Sequence, residues 1–145
     1  MIEFVEYSDE KISIKLPKQL RQKRPIRFFR GNLIRGKPET HMSVGIDLNF
    51  DIRRFESIKD EFLRTEIQNR PPGNKVERLG PCEFGDDGLE LLTSIVQPHT
   101  GDTFYRWDLI YSLDGNYLMV SITGGDSREN FEKLAKEVVK SLAFI

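Results

Sequence analysis

Cysteine is almost absent from this sequence, which contains only Cys82. A single cysteine excludes an internal disulfide framework and a zinc site built from several thiolates. Long apolar runs are also missing, since no stretch approaches the roughly 20 apolar residues of a membrane-spanning helix. The segment from Met1 to Glu6 lacks the basic start and the apolar core of a secretion signal. We therefore expect a cytoplasmic protein without a membrane span, with export lacking such a signal as the alternative.

Motifs for catalysis and for metal binding are lacking as well. His41 and His99 have no second ligand at metal spacing, and Cys82 follows a proline with no other cysteine nearby. Neither a Gly-x-Ser-x-Gly nor a Ser-x-x-Lys nucleophile motif occurs. Asp47 and Asp51 show no sign of facing a common cleft, which acid–base catalysis requires. We expect no catalytic residue, no cofactor and no metal, and an enzyme of unrecognised type remains the least favoured alternative.

Length and composition favour one folded unit. A chain of 145 residues, with 38% hydrophobic and 10% aromatic residues, fits a single domain over residues 1–145 with an ordinary core. The formal net charge of −1 provides no overall attraction to nucleic acid or to an anionic membrane.

Alternating apolar residues predict strands in two places near the start of the chain. Residues 2–17 read as a hairpin that turns at Ser8-Asp9 and ends at Pro17, because proline cannot donate to a ladder. Residues 42–50 place every second, apolar side chain on one face, which indicates a half-buried antiparallel strand.

The remainder of the sequence predicts two helices and a meander. An amphipathic helix begins at Ser57 and ends before Pro71, and from Lys75 the chain predicts four strands with Asp-Gly turns. Asp126 and Glu129 have the spacing of a capping box, and a second amphipathic helix follows them. The fold class is therefore α+β: an antiparallel sheet with two helices packed on it.

The Asp114-Gly115 turn fixes the register of the last hairpin. If it is a two-residue turn, one face of the hairpin is apolar and belongs to the core. The other face is mixed and suits solvent or a protein partner, because Tyr, Met and Arg are enriched at interfaces. We predict a protein-binding surface there, formed by Arg106, Ile110, Tyr117 and Met119. The alternative is a solvated sheet face or one covered by the middle helix.

A basic segment from Lys18 to Lys37 contains eight Lys and Arg residues and no acidic residue. We predict a second binding patch at Arg27, Phe28 and Arg30, suited to an acidic protein segment. A nucleic-acid groove is disfavoured by the neutral total charge. The remaining alternative is a solvated basic edge strand that protects against aggregation.

The order of elements resembles the PsbP-like superfamily and, within it, the DcrB-like domains. The matching details are the strand Ile12-Ser13-Ile14-Lys15-Leu16 that runs into Pro17, and the terminal Ser141-Leu142-Ala143-Phe144 after an amphipathic helix. The resemblance spans nearly the whole chain and implies a PsbP-like α/β/α sandwich without enzyme chemistry. Members bind a Ran GTPase, serve as an extrinsic photosystem subunit or as lipoproteins, or hold effectors for type VI secretion.

Together these observations favour a non-catalytic, cytoplasmic protein-binding module, as a chaperone or adaptor for a secreted effector. The partner is expected to be a protein with an acidic or a hydrophobic segment, and a homodimer is also compatible with the sequence. A second class is an immunity protein that neutralises a cognate toxin, which would share the small size and the missing active site.

Overall fold

The structure is a computed structural model that describes residues 2–23, 27–49, 60, 74–79, 88–96, 99–113, 116–125 and 127–144. The described residues form two antiparallel sheets, one α-helix and one short 3-10 helix at Pro38–Thr40. The strands are β1 Phe4–Ser8, β2 Ile12–Pro17, β3 Arg21–Gln22, β4 Phe28–Asn32, β5 His41–Asn49, β6 Lys75–Arg78, β7 Gly88–Val96, β8 Thr103–Leu113, β9 Asn116–Gly124 and β10 Ala143–Phe144.

Seven of these strands form the main sheet, in the order β3-β4-β5-β9-β8-β7-β6. The predicted meander is present as β6 to β9, and Leu113 pairs with Asn116 as the two-residue turn requires. The predicted central strand is β5, which pairs with β4 on one side and with β9 on the other. Its alternating pattern is confirmed, because Met42, Val44 and Ile46 are all buried.

The N-terminal hairpin forms its own small sheet instead of extending the main one. Its strands β1 and β2 pair as predicted, and β10 adds to β2 to give the order β1-β2-β10. Ser141 makes this connection, because its Oγ accepts a hydrogen bond of 2.8 Å from the backbone N–H of Lys15. Three residues after Ser141 in the chain, Phe144 of β10 pairs with Ile12 of β2. The terminal Ser-Leu-Ala-Phe sequence therefore closes the small sheet.

The C-terminal helix, α1 (Arg128–Ser141), packs its predicted apolar face into the core. Phe131, Ala135, Val138 and Val139 are buried, whereas the opposite face is exposed. The predicted capping box is wrong, because Ser127 is the N-cap and its side chain accepts from the N–H of Asn130. A serine one residue closer to the helix provides the same kind of cap as the aspartate.

One core lies between α1, the small sheet and one face of the main sheet. We call this the inner face of the main sheet, and it carries Phe29, Val44, Leu109, Val120 and Ile122. Burial of each large apolar side chain contributes about 1.5–3 kcal/mol before the loss of conformational entropy is counted. The inner face also buries Glu90, which accepts a 3.1 Å hydrogen bond from Nε1 of Trp107.

The prediction of two helices is not borne out, because the helix expected between Ser57 and Pro71 is not among the described elements. It lies outside the described residues except for Asp60, which is helical. Cys82, Asp51 and the turn at Asp114-Gly115 also lie outside the described residues. What is established is a mostly antiparallel sheet with one described α-helix.

Candidate functional site

Strand pairing brings the two predicted patches onto one surface. Side chains alternate between the faces of a strand, so the neighbours of the inner-face residues point to the opposite side. We call that side the outer face of the main sheet. Phe28 and Arg30 on β4 share it with Met119 on β9 and with Arg106 on β8, because β5 joins β4 to β9. Two patches that are far apart in sequence are therefore parts of one face.

Residues of the outer face fall into rows that cross the strands. One row, which we call the arginine–hydroxyl row, runs through residues that pair in register from β3 to β7: Arg21, Arg30, Ser43, Thr123, Arg106 and Thr93. Neighbouring strands lie about 4.8 Å apart, so adjacent members of the row are within side-chain contact distance.

Two cavities flank this row on the outer face. The first has a volume of about 420 Å³, and its lining includes Phe28, Gly45, Asp47, Met119 and Ser121. We call it the Phe28 cavity. Gly45 leaves room beside the aromatic ring, since a Cβ added there would lie 3.5 Å from Phe28.

The second cavity lies beyond the other side of the row and has a volume of about 630 Å³. Its lining includes Glu39, His41, Asp102, Phe104 and Thr123, and we call it the Phe104 cavity. Thr123 belongs both to this lining and to the arginine–hydroxyl row. The two cavities and the row thus form one continuous strip along β5 and β9.

Arg106 and Met119 lie on the outer face as the sequence predicts, and both are half-buried. The guanidinium of Arg106 is held by Asp108, with 2.7 Å between Nε and Oδ2. Tyr117 pairs with Ser112 in the predicted register, but its side chain lies outside the description.

Ile110 requires a correction. The sequence predicts an exposed side chain at this position, but Ile110 is completely buried, with 0% exposure. Leu89 and Leu91 on β7 share its face and are buried too, so the outer face is covered on the β7 side. Among the described residues, the more exposed part of the face is the region of β3, β4, β5 and β9, and we call it the open part. Sequence alternation identifies the face of a residue but not what covers it.

Arg27 forms an internal ion pair that the sequence did not predict. Its Nε donates a 2.7 Å hydrogen bond to Oδ2 of Asp9, in the loop between β1 and β2. This ion pair holds the pKa of the Asp9 carboxyl far below its usual range, with help from the N–H groups of Lys11 and Ile12. Arg27 therefore connects the small sheet to the main sheet, and it also lines the Phe28 cavity.

Arg30 and Phe28 remain available on the outer face. Arg30 is exposed and forms no side-chain hydrogen bond or ion pair within the described residues. Phe28 is half-buried at the wall of the Phe28 cavity. The basic segment does form the edge of the sheet through β3, as its alternative interpretation predicts.

Sequence reasoning missed the role of Ser43 and Thr123. Their hydroxyls form a close hydrogen bond to each other across β5 and β9. The contact could not be predicted because it depends on the pairing of β5 with β9. In the sequence, each residue is only a polar position on an alternating strand.

Of the two histidines, His41 lines the Phe104 cavity together with Glu39 and Asp102. His41 lies at the start of β5 and His99 in a turn, and both are exposed. Among the described residues, no three His, Cys, Asp or Glu side chains lie close enough together to hold a metal ion. Within those same segments, no helix combines the length and the apolar character that crossing a bilayer requires.

Comparison with known proteins identifies the fold. No family model matches the chain, and no curated protein matches its sequence. Among solved structures, the Ran-binding protein Mog1p of Saccharomyces cerevisiae is similar, with a TM-score of 0.60 and 14% identity over 99% of this chain and 96% of that chain. The likeness at this identity establishes the fold.

Two bacterial structures are also similar. LpqN of Mycobacterium tuberculosis, involved in cell envelope biogenesis, has a TM-score of 0.57 and 13% identity over 99% of this chain and 91% of that chain. PA94 of Pseudomonas aeruginosa, a protein of unknown function, has a TM-score of 0.56 and 16% identity over 97% of this chain and 96% of that chain. The chain therefore has a Mog1-like fold.

Proposed function

We propose that this protein is a non-catalytic protein-binding module that holds a segment of another protein on the open part of its outer face. The observation that carries the proposal is the strip in which Phe28 and Met119 line the Phe28 cavity and Arg30 lies in the adjacent arginine–hydroxyl row. Apolar contact area next to an exposed arginine is the composition that protein interfaces favour. The similarity to a Ran-binding protein supports the same class of function.

The finer proposal is a cytoplasmic chaperone or adaptor for a secreted effector, formed by a single DcrB-like domain of the PsbP-like superfamily. A chaperone of this kind shelters a segment of its client, and the Phe28 cavity offers an apolar wall for one. Its client would remain active after release.

The test compares proteins captured from native lysate by the wild type and by two variants. Phe28→Ser with Met119→Ser removes apolar contacts on the outer face, whereas Lys133→Glu changes an exposed position on α1. We expect one protein to co-purify with the wild type and with Lys133→Glu, and to be lost from the double variant. Circular dichroism confirms that both variants remain folded.

Two results contradict the proposal: capture that depends on Lys133 but not on the outer face, or recovery of nucleic acid alone across salt concentrations. Measurement of the captured protein's activity then separates two roles. A client that is permanently inactivated by binding indicates an immunity protein instead of a chaperone. Analytical ultracentrifugation shows whether the captured protein is a second copy of this chain.

A further inference from the structure

The arginine–hydroxyl row contains hydrogen-bond donors that have no acceptor within the described segments. Ser43 and Thr123 bond to each other, so one hydroxyl donates and the other keeps its own O–H proton. That second proton has no acceptor among the described residues. Arg30, directly opposite Ser43 on β4, also has no partner in this part of the chain. Within the described residues, the guanidinium of Arg30 and one hydroxyl proton of the Ser43–Thr123 pair therefore lack partners in the same row.

The same row shows a further feature that favours an anion. Arg21 lies directly opposite Arg30 and is likewise exposed, which places two like charges next to each other in the sheet. Such pairs destabilise a sheet, so a bound negative charge would relieve the repulsion.

We infer that Arg30 and the Ser43–Thr123 hydroxyl pair bind the carboxylate of a Glu or Asp residue in an extended segment of the partner protein. The inference rests on the proposed function and names the chemistry of its partner. A carboxylate accepts two parallel hydrogen bonds from a guanidinium and a third from the free hydroxyl. Arg21 strengthens the positive potential at this point.

The spacing of the rows predicts the residues on either side of the carboxylate. Rows on one face of a strand are two residues apart, or about 6.7 Å. An extended segment that lies along β5 and β9 has the same repeat in its own side chains. If its acidic residue reaches Arg30, the residues two positions before and after it enter the Phe28 cavity and the Phe104 cavity. The segment therefore has the pattern apolar-x-acidic-x-apolar.

Carboxylates near the strip disfavour a nucleic acid as the ligand. Asp47 lines the Phe28 cavity, and Glu39 and Asp102 line the Phe104 cavity. A chain of phosphates would place negative charges next to these groups on both sides of the arginines. One carboxylate between two apolar residues avoids this repulsion. The electrostatics thus select a single acidic side chain over a polyanion.

The experiment measures binding of two fluorescein-labelled peptides by fluorescence anisotropy. One contains the core Leu-Thr-Glu-Thr-Phe, and the other has Gln in place of Glu. We expect the Glu peptide to bind the wild type roughly tenfold more tightly than the Gln peptide, because a charge-assisted hydrogen bond is about twice as strong as a neutral one. Arg30→Glu should abolish this preference, and a peptide with Lys at the central position should then bind that variant best.

Matched controls test whether peptide binding depends on the arginine–hydroxyl row. Lys133→Glu introduces the same charge change on α1 and should leave both affinities unchanged. Amide shifts in nuclear magnetic resonance spectra should move at Ser43 and Thr123 on addition of the Glu peptide, and not at Lys133. Circular dichroism verifies that Arg30→Glu is folded.

Equal binding of the two peptides, or no binding of either at millimolar concentration, overturns the inference. Tighter binding of an oligothymidine strand than of the Glu peptide also overturns it. The proposed function survives these results if a captured protein still requires Phe28 and Met119. It fails separately if no captured protein depends on the outer face.

Discussion

Arg21 and Arg30 lie directly opposite each other in the register of β3 and β4, and both are exposed. Nη1 of Arg21 donates a 2.8 Å hydrogen bond to the backbone oxygen of Lys18. Arg30 has no partner among the described residues. Like charges opposite each other weaken a sheet. Such a loss of folding stability is typical of surfaces whose residues serve binding.

Arg30→Gln should therefore stabilise the protein in the absence of a partner. The expected gain is about 0.2–1 kcal/mol at low ionic strength, because one of two opposed charges is removed. Urea unfolding followed by circular dichroism measures it. Salt should reduce the gain, since exposed charges are screened.

Arg35→Gln is the matched control for this variant. Arg35 is exposed in the turn before Gly36 and is not paired with another strand. Its replacement should change the free energy of unfolding less than Arg30→Gln does. A loss of stability in Arg30→Gln would show that the guanidinium has an internal role.

Asp9 should make the protein acid-sensitive. Its carboxylate accepts hydrogen bonds from Arg27, Tyr7 and two backbone N–H groups, and the Arg27 contact is the main reason that its pKa is lowered in the folded state. The stability that this provides is complete above the unfolded pKa of about 3.9 and is lost as the pH falls towards the lower folded pKa. Asp9→Asn should therefore show a flatter decline in unfolding free energy between about pH 5 and pH 2.

Asp9→Ala separates the turn from the ion pair. Oδ1 of Asp9 accepts from the N–H groups of Lys11 and Ile12, and an asparagine side chain can keep those bonds. At neutral pH we expect Asp9→Ala to be less stable than Asp9→Asn by about 0.5–1.5 kcal/mol, because it loses these bonds as well. Equal stability of the two variants would contradict this account of the loop.

Gly31 and Gly45 should respond differently to an added side chain. A Cβ at Gly31 would collide with the backbone carbonyl of Gln19, which cannot move independently. A Cβ at Gly45 would instead lie 3.5 Å from the Phe28 ring, an ordinary contact distance. Gly31→Ala should cost about 1–3 kcal/mol in unfolding free energy, as overpacking does.

Gly45→Val should leave the fold intact and fill part of the Phe28 cavity. Valine favours strands, so thermal unfolding should change little. Binding of the captured partner should weaken, and the affinity measured by isothermal titration calorimetry checks this. Unchanged affinity would remove the Phe28 cavity from the binding surface.

Local patterns in the sequence predicted much of the fold. The register of β8 and β9 follows from a two-residue turn, and the buried face of α1 follows from helical spacing, so both depend on neighbouring residues alone. The burial of Ile110 and the pairing of Arg27 with Asp9 depend on segments that are distant in sequence. The joining of the two predicted patches likewise required the pairing of β5 with β9.

Site-specific photo-crosslinking tests the central claim most directly. Benzoylphenylalanine placed at Phe28 or at Met119 should crosslink to the captured partner protein, because both positions border the Phe28 cavity. The same group at Lys133, on the exposed side of α1, should give no product. Crosslinks from Lys133 together with none from Phe28 and Met119 would contradict a partner-binding outer face.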